Sequence, residues 1–157
     1  LAEKLGLEFV DADPEIEKSA RKKIADIFRD EEDGFRDWEE KTLQILDETY
    51  QDFILATGGG VVIRGHNRDI LRSFDHVIYL RTSVDTLCRR LEGDIHRPLL
   101  QDGDPKQKLE NLLVMRQHLY QAVASQTVET DTLAPEEVAG KVCENIEQKK
   151  DADFLDK

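Results

Sequence analysis

The spacing of apolar residues changes several times along this chain, and each change marks a predicted element. Leu1 to Leu5 reads as the end of a helix stopped by Gly6, and the apolar step at Phe9 and Val10 reads as a short strand. Asp11, Asp13 and Pro14 mark the loop that follows, with Asp13 as N-cap and Pro14 at the first position of the next helix. From Arg36 to Gln51 the apolar positions Trp38, Leu43, Leu46 and Tyr50 recur at the three-to-four spacing of an amphipathic helix. The period then breaks. Phe53 to Ala56 is a short continuous apolar run, as a strand buried on both faces requires, and Val77 to Leu80 repeats it. Helical spacing returns at Asn67 to Ser73, Val84 to Leu91, Pro105 to Ala124 and Pro135 to Gln148, with a last strand at Thr127 to Glu129.

Strands that alternate with helices need crossover connections, so the predicted fold is α/β, a parallel sheet with helices on both faces. Ligands of such sheets bind beyond the carboxyl ends of the strands. Asp11 and Asp13 follow the first strand, Gly58 to Gly60 the second and Arg81 the third, so polar or backbone-permissive groups collect at one edge.

Composition narrows the class. The 157 residues suit one domain, taken as residues 1–150 with an acidic tail at 151–157. Apolar residues at 39% supply a core that a disordered chain lacks, despite 36% charged residues. No run approaches the roughly 20 apolar residues that span a bilayer, and no signal-peptide pattern opens the sequence. Cys88 and Cys143 stand far apart without metal-ligand spacing, which predicts neither disulfide nor zinc and suits a reducing cytoplasm.

The formal net charge of −12 is unevenly spread. Residues 1–52 carry 17 acids against 8 bases, residues 53–128 carry 8 against 10, and residues 129–157 carry 9 against 4. An acidic body with a mildly basic middle argues against nucleic-acid or membrane partners and leaves room for a local anion site.

Four groups of residues are candidates for chemistry. In Asp11-Ala12-Asp13, residues two apart in extended chain face the same way, so both carboxylates can project beyond the strand, one toward a hard cation and one toward a substrate hydroxyl. The plainer alternative is a helix cap and a solvated acid. In Gly34-Phe35-Arg36-Asp37-Trp38-Glu39, Arg36 can fork a carboxylate in a way lysine cannot, with Glu39 one turn on to hold it; an exposed surface pair is the alternative. Phe35 and Trp38 suit a core as well as an aromatic wall beside a small ring.

Gly58, Gly59 and Gly60 permit positive φ and a close approach of backbone N–H groups to a ligand. They are not a Walker A loop, because no Gly-Lys-Ser/Thr follows. Arg89, Arg90 and Arg97 supply the basic middle, with residues 92–104 as a lid that brings Arg97 toward a transferring phosphoryl group. Arg116 and Tyr120, four residues apart, read equally as an ordinary helix-surface pair. His66, His76, His96 and His118 show neither triad nor metal spacing.

Taken in order, F-V-D-A-D, G-F-R-x-x-E, T-G-G-G, R-P-L-L and M-R-x-x-L-Y resemble shikimate kinase, of the P-loop nucleoside-monophosphate-kinase-like group, from Leu1 to about Ile146. The resemblance implies a three-layer α/β/α fold and transfer of the ATP γ-phosphate, with Mg²⁺, to the 3-hydroxyl of shikimate in aromatic amino-acid biosynthesis, by a cytoplasmic monomer. It implies that Asp13 bonds the substrate hydroxyls and serves as base, and that Asp11 lies on the magnesium side. Arg36 and Arg116 would grip the substrate carboxylate, Glu39 orient the site, Phe35 form a wall, and Gly58, Gly59 and Gly60 run beside the ring. Arg97 would reach substrate and phosphate from the lid, and Arg90 and Pro135 fall where the family meets adenine.

One departure is marked. The family opens with a strand and G-x-x-G-x-G-K-S/T, whereas this sequence opens at Leu1-Ala2-Glu3-Lys4-Leu5-Gly6, inside the helix that follows. The expectation is therefore that the natural protein carries about 25 further N-terminal residues, including the central strand and the phosphate loop. Two alternatives stay open: a non-catalytic or truncated relative that binds a small acid or a partner, and a different P-loop small-molecule kinase.

Overall fold

Gly6 ends the first helix by adopting φ 66°, ψ 29°, where its N–H reaches the Ala2 carbonyl. A side chain would strain this left-handed conformation. The structure, a computed structural model, describes residues 1–30, 32–91 and 104–155. Arg97 and all of the expected lid but Asp104 lie outside the described residues.

The elements run α1 (Ala2–Leu5), β1 (Glu8–Asp11), α2 (Ala12–Ala20), α3 (Ile24–Asp30), α4 (Glu32–Thr49), β2 (Phe53–Ala56), a 3₁₀ turn (Val61–Ile63), α5 (Gly65–Ser73), β3 (Ile78–Arg81), α6 (Val84–Leu91), α7 (Pro105–Val123), β4 (Gln126–Glu129) and α8 (Pro135–Leu155). Every strand pairing is parallel. β1 pairs with β2 from Glu8↔Phe53 to Asp11↔Ala56, and β3 with β4 from Ile78↔Gln126 to Arg81↔Glu129. Among the described residues the strands form two two-stranded sheets, with no strand bonding β2 to β3. A shared apolar cluster links the halves: Leu43, Val61, Val62, Leu71 and Val123, with Leu55 of β2 and Val77 just before β3 packed against it.

Three local expectations are corrected. Asp11, not Asp13, caps α2: its Oδ1 accepts the Asp13 N–H at 3.1 Å, so the helix opens at Ala12 and Pro14 falls inside its first turn. Proline is tolerated there because the first turn's N–H groups have no helical acceptor anyway. α4 begins four residues earlier than its apolar spacing indicates, at Glu32, and ends at Thr49. Arg81 lies within β3 rather than beyond it, ion-paired across the ladder with Glu129.

α3 has no counterpart among the predicted elements. Its Ile24, Ile27 and Phe28 do carry helical spacing, and they pack with Ile16 and Phe35 in a second cluster. A third cluster places Val142 and Ile146 of α8 against Val128. No helix of the described residues is long and apolar enough to cross a membrane, and both cysteines are free thiols.

Candidate active site at the strand ends

Asp11 and Ala56 are partners in register, so the chain leaves β1 and β2 at one edge. Beyond β1 the Asp11 cap turns the backbone directly into α2, which puts Asp13 on an exposed first turn. Beyond β2 come Gly58 to Gly60 and the 3₁₀ turn. A Cβ built on Gly58 would lie 3.7 Å from Asp13 Oδ1 and 3.7 Å from Glu39 Oε1, so two carboxylates flank this glycine.

Arg36 and Glu39 are each only 5% exposed, and Arg36 Nη1 donates to Glu39 Oε2 at 2.7 Å. The exposed surface pair that the spacing also allowed is thereby excluded. Phe35 is buried and stacks on Phe28 with centroids 4.3 Å apart. The Arg36 guanidinium lies 5.0 Å from the Phe35 ring and 5.7 Å from Phe28, where the negative ring faces favour a cation. Phe35 is thus a wall for the arginine as well as a core residue.

Gly60 also packs directly against that guanidinium. A Cβ on Gly60 would overlap Arg36 Nη1 and come within 2.5 Å of Cζ. The expectation of positive φ in the glycine run is corrected here, since Gly60 sits at φ −85°, ψ −14°, and Gly6 holds the sole positive-φ glycine conformation among the described residues. Space, rather than dihedral freedom, makes Gly60 a glycine.

Burial pushes the Glu39 carboxyl above the ordinary glutamate range. The Arg36 cation pulls it back, the Asp13 charge adds to the rise, and Arg116 opposes it. Asp13, Arg36 and Arg116 therefore all bear on Glu39 at the β1–β2 edge, with Arg116 half-buried on α7. Tyr120, one turn beyond Arg116, is more than a surface neighbour: its hydroxyl donates to the Gly59 carbonyl at 2.7 Å, and its ring stacks on Tyr79 at 5.1 Å.

A second group forms beyond β3 and β4. Arg90, at the end of α6, donates to the Thr130 carbonyl at 2.5 Å and to its hydroxyl at 3.2 Å, five residues before Pro135 opens α8. Asp131 accepts from the Ser83 hydroxyl and N–H and from the Thr82 hydroxyl, which holds its carboxyl well below the usual range. This knot ties the β3–α6 and β4–α8 turns together. No local spacing announced it, because its partners lie 48 or 49 residues apart. Arg89 donates to the Thr86 hydroxyl of its own helix at 2.9 Å, and that hydroxyl in turn accepts from Ser83, so Arg89 borders the Asp131 group.

The described candidates therefore fall into two neighbourhoods: Asp11, Asp13, Phe35, Arg36, Glu39, Gly58, Gly59, Gly60 and Arg116 in one, Arg90 and Pro135 in the other. An acid and arginines facing a shared edge suit a small hydroxylated carboxylic acid, and a polar pair of turns over parallel strands suits a second ligand.

A family model described as shikimate kinase matches residues 1–147. Shikimate kinase of Marinomonas sp. is 44% identical over 150 residues, 94% of this chain and 82% of the relative, and that of Thioalkalivibrio sulfidiphilus is 48% identical over 132 residues, 83% and 69%. A shikimate kinase from Acinetobacter baumannii, solved in complex with shikimate, superposes with a TM-score of 0.90 at 41% identity, covering 95% of this chain and 83% of the other. On the length of the match and the level of identity together, the chain belongs to the shikimate kinase family.

Proposed function

We propose that this protein phosphorylates the 3-hydroxyl of shikimate at the expense of ATP, in aromatic amino-acid biosynthesis. The observation that supports the reading best is the buried Arg36–Glu39 pair pressed against Gly60, with Asp13 and Arg116 close enough to act electrostatically on Glu39.

Arg36 and Arg116 hold the substrate carboxylate. Arg36 arrives pre-oriented, because Glu39, two aromatic rings and Gly60 leave its guanidinium little freedom, and little rotamer entropy remains to be lost on binding. Asp13, exposed beside Gly58, accepts hydrogen bonds from the ring hydroxyls and takes the proton of the attacking one. Gly58 to Gly60 let backbone run beside the ring, and Phe35 backs the arginine. Arg90 and Pro135 border adenine, and Arg97 meets the phosphates from the lid. Phosphoryl transfer needs mainly positioning and charge neutralisation, which these groups supply.

A magnesium ion would neutralise phosphate charge. The described residues hold no cluster of three or more His, Cys, Asp or Glu that could bind a metal, yet Mg²⁺ commonly needs only one or two carboxylates with phosphates and waters. Asp11 fits this requirement, since its cap bond engages Oδ1 and leaves Oδ2 available among the described residues. The same reading takes the protein as a cytoplasmic monomer, with residues 1–150 as the kinase domain, residues 151–157 as a tail, and neither nucleic acid nor membrane as partner.

An ATP-coupled assay of the full-length protein against shikimate and a panel of small hydroxy acids tests it. Turnover with shikimate is expected, and turnover with a different acid alone would overturn it.

A further inference from the structure

The 3₁₀ turn Val61–Ile63 connects the glycines to α5, and its carbonyls have unusual partners. A short helix leaves its last carbonyls without N–H donors inside the helix. Here the first turn of the next helix folds back to supply donors: Asn67 Nδ2 donates to the Val61 carbonyl at 3.1 Å, and Arg68 Nη1 donates to those of Val62 and Ile63 at 2.8 Å each. Asn67 is fully buried, and its Oδ1 has no hydrogen-bond partner among the described residues. An apolar residue would avoid that desolvation cost, so burial alone does not account for an asparagine; the donated bond does.

The turn held in this way is the one that positions Gly60. The Val61 N–H bonds the Gly58 carbonyl at 3.2 Å and the Ile63 N–H bonds the Gly60 carbonyl at 3.0 Å, so the glycine run and the turn move as one piece. Val61 and Val62 anchor that piece in the core. Its outer surface meets the Arg36 guanidinium at Gly60 with no room for a methyl group. The same nitrogen, Nη1, that faces Gly60 donates to Glu39. Any drift of the turn therefore moves one wall of the arginine's slot.

We propose that Asn67 and Arg68 are positioning residues for Arg36: they clamp the 3₁₀ turn from behind and so set the geometry with which Arg36 meets the substrate carboxylate. This deepens the functional reading above and rests on it. Arg68 carries the cleaner test, because it is only half-buried and its replacement leaves the core intact. Arg68→Met keeps the aliphatic bulk and removes both bonds, while Arg68→Lys keeps a donor able to reach the same carbonyls.

In the full-length protein, shikimate and ATP dissociation constants are measured separately by calorimetry, alongside amide exchange at Val61 and Ile63. Arg68→Met is expected to weaken shikimate by about tenfold, as small misplacements of a binding group do, to leave ATP within about twofold, and to speed exchange at both amides. Arg68→Lys is expected to restore all three. Unchanged shikimate affinity in Arg68→Met, with or without faster exchange, would overturn the proposal, as would an equal loss for both ligands or a failure of lysine to rescue. If the unsubstituted protein binds no shikimate, the functional reading itself falls and this inference with it. That result is distinct from failure of the clamp alone, in which the unsubstituted and methionine proteins bind shikimate equally.

Discussion

Adding one methyl group at Gly60 isolates the role of close packing in the site. The backbone there, at φ −85° and ψ −14°, is open to any L-residue, so Gly60→Ala carries no dihedral penalty. Elsewhere such a substitution stabilises by about 0.4–1 kcal/mol through the unfolded chain. At Gly60 the new Cβ overlaps the Arg36 guanidinium, which is 5% exposed and bonded to Glu39. Overpacking a core costs about 1–3 kcal/mol, and full loss of a buried ion pair about 3–5 kcal/mol. A partial displacement of Arg36 therefore predicts a net loss of about 2–4 kcal/mol in stability. Shikimate affinity should fall by about 1.5–3 kcal/mol, the range for a charged hydrogen bond.

The adjacent glycines grade the same perturbation. A Cβ on Gly59 would stand 3.2 Å from the Tyr120 hydroxyl, which must give by a few tenths of an ångström, and one on Gly58 would meet only ordinary contacts at 3.7 Å. Urea unfolding and shikimate calorimetry should rank the alanine variants with Gly58 mildest, Gly59 intermediate and Gly60 worst. Equal damage at all three positions would point to a backbone requirement and refute the packing argument, and so would a Gly60→Ala protein with unaltered midpoint and affinity.

Arg36→Lys should weaken shikimate by about 1.5–3 kcal/mol with ATP affinity nearly unchanged, because a point charge cannot fork a carboxylate; equal effects on both ligands would remove the assignment. Asp13→Asn, at an exposed position, should lower kcat strongly while leaving the thermal midpoint within a few degrees, and a near-normal kcat would take Asp13 off the catalytic list. Glu39 gives a pH signature. Its folded-state carboxyl titrates above the ordinary 4.5, so the native state binds this proton more tightly than the unfolded chain, and its contribution is greatest below 4.5 and lost as pH rises through the raised value. Glu39→Gln cannot titrate, so unfolding of the two proteins followed by urea from about pH 4 to 7 should show wild-type stability declining relative to the variant; parallel profiles would contradict the sign.

Much of the fold is legible because it is local. Phe53 to Ala56 and the apolar run into Leu80 form strands as their pattern predicts, and α5, α6 and α7 lie close to where helical spacing puts them, whereas α8 runs past the expected end at Gln148 to Leu155. The boundary errors also have local causes. Asp11 and Asp13 are both competent caps, and which one serves depends on where β1 releases the chain, a matter settled by its register with β2. At α4, Glu32 and Asp33 precede the first apolar residue and add no period that could reveal the earlier start.

The sequence by itself determined the alternation of strand and helix, the edge where polar residues collect, and the ordered motifs that resemble a kinase family. Each depends on periodicity or residue type over a few positions. Tertiary structure alone decided that Arg36 and Glu39 are buried, that Gly60 is a glycine for space, that Tyr120 holds Gly59, and that Asn67 and Arg68 hold the turn behind it. These are contacts between segments brought together by chain crossing, and a residue's local spacing carries no record of what lies on the far side of the fold.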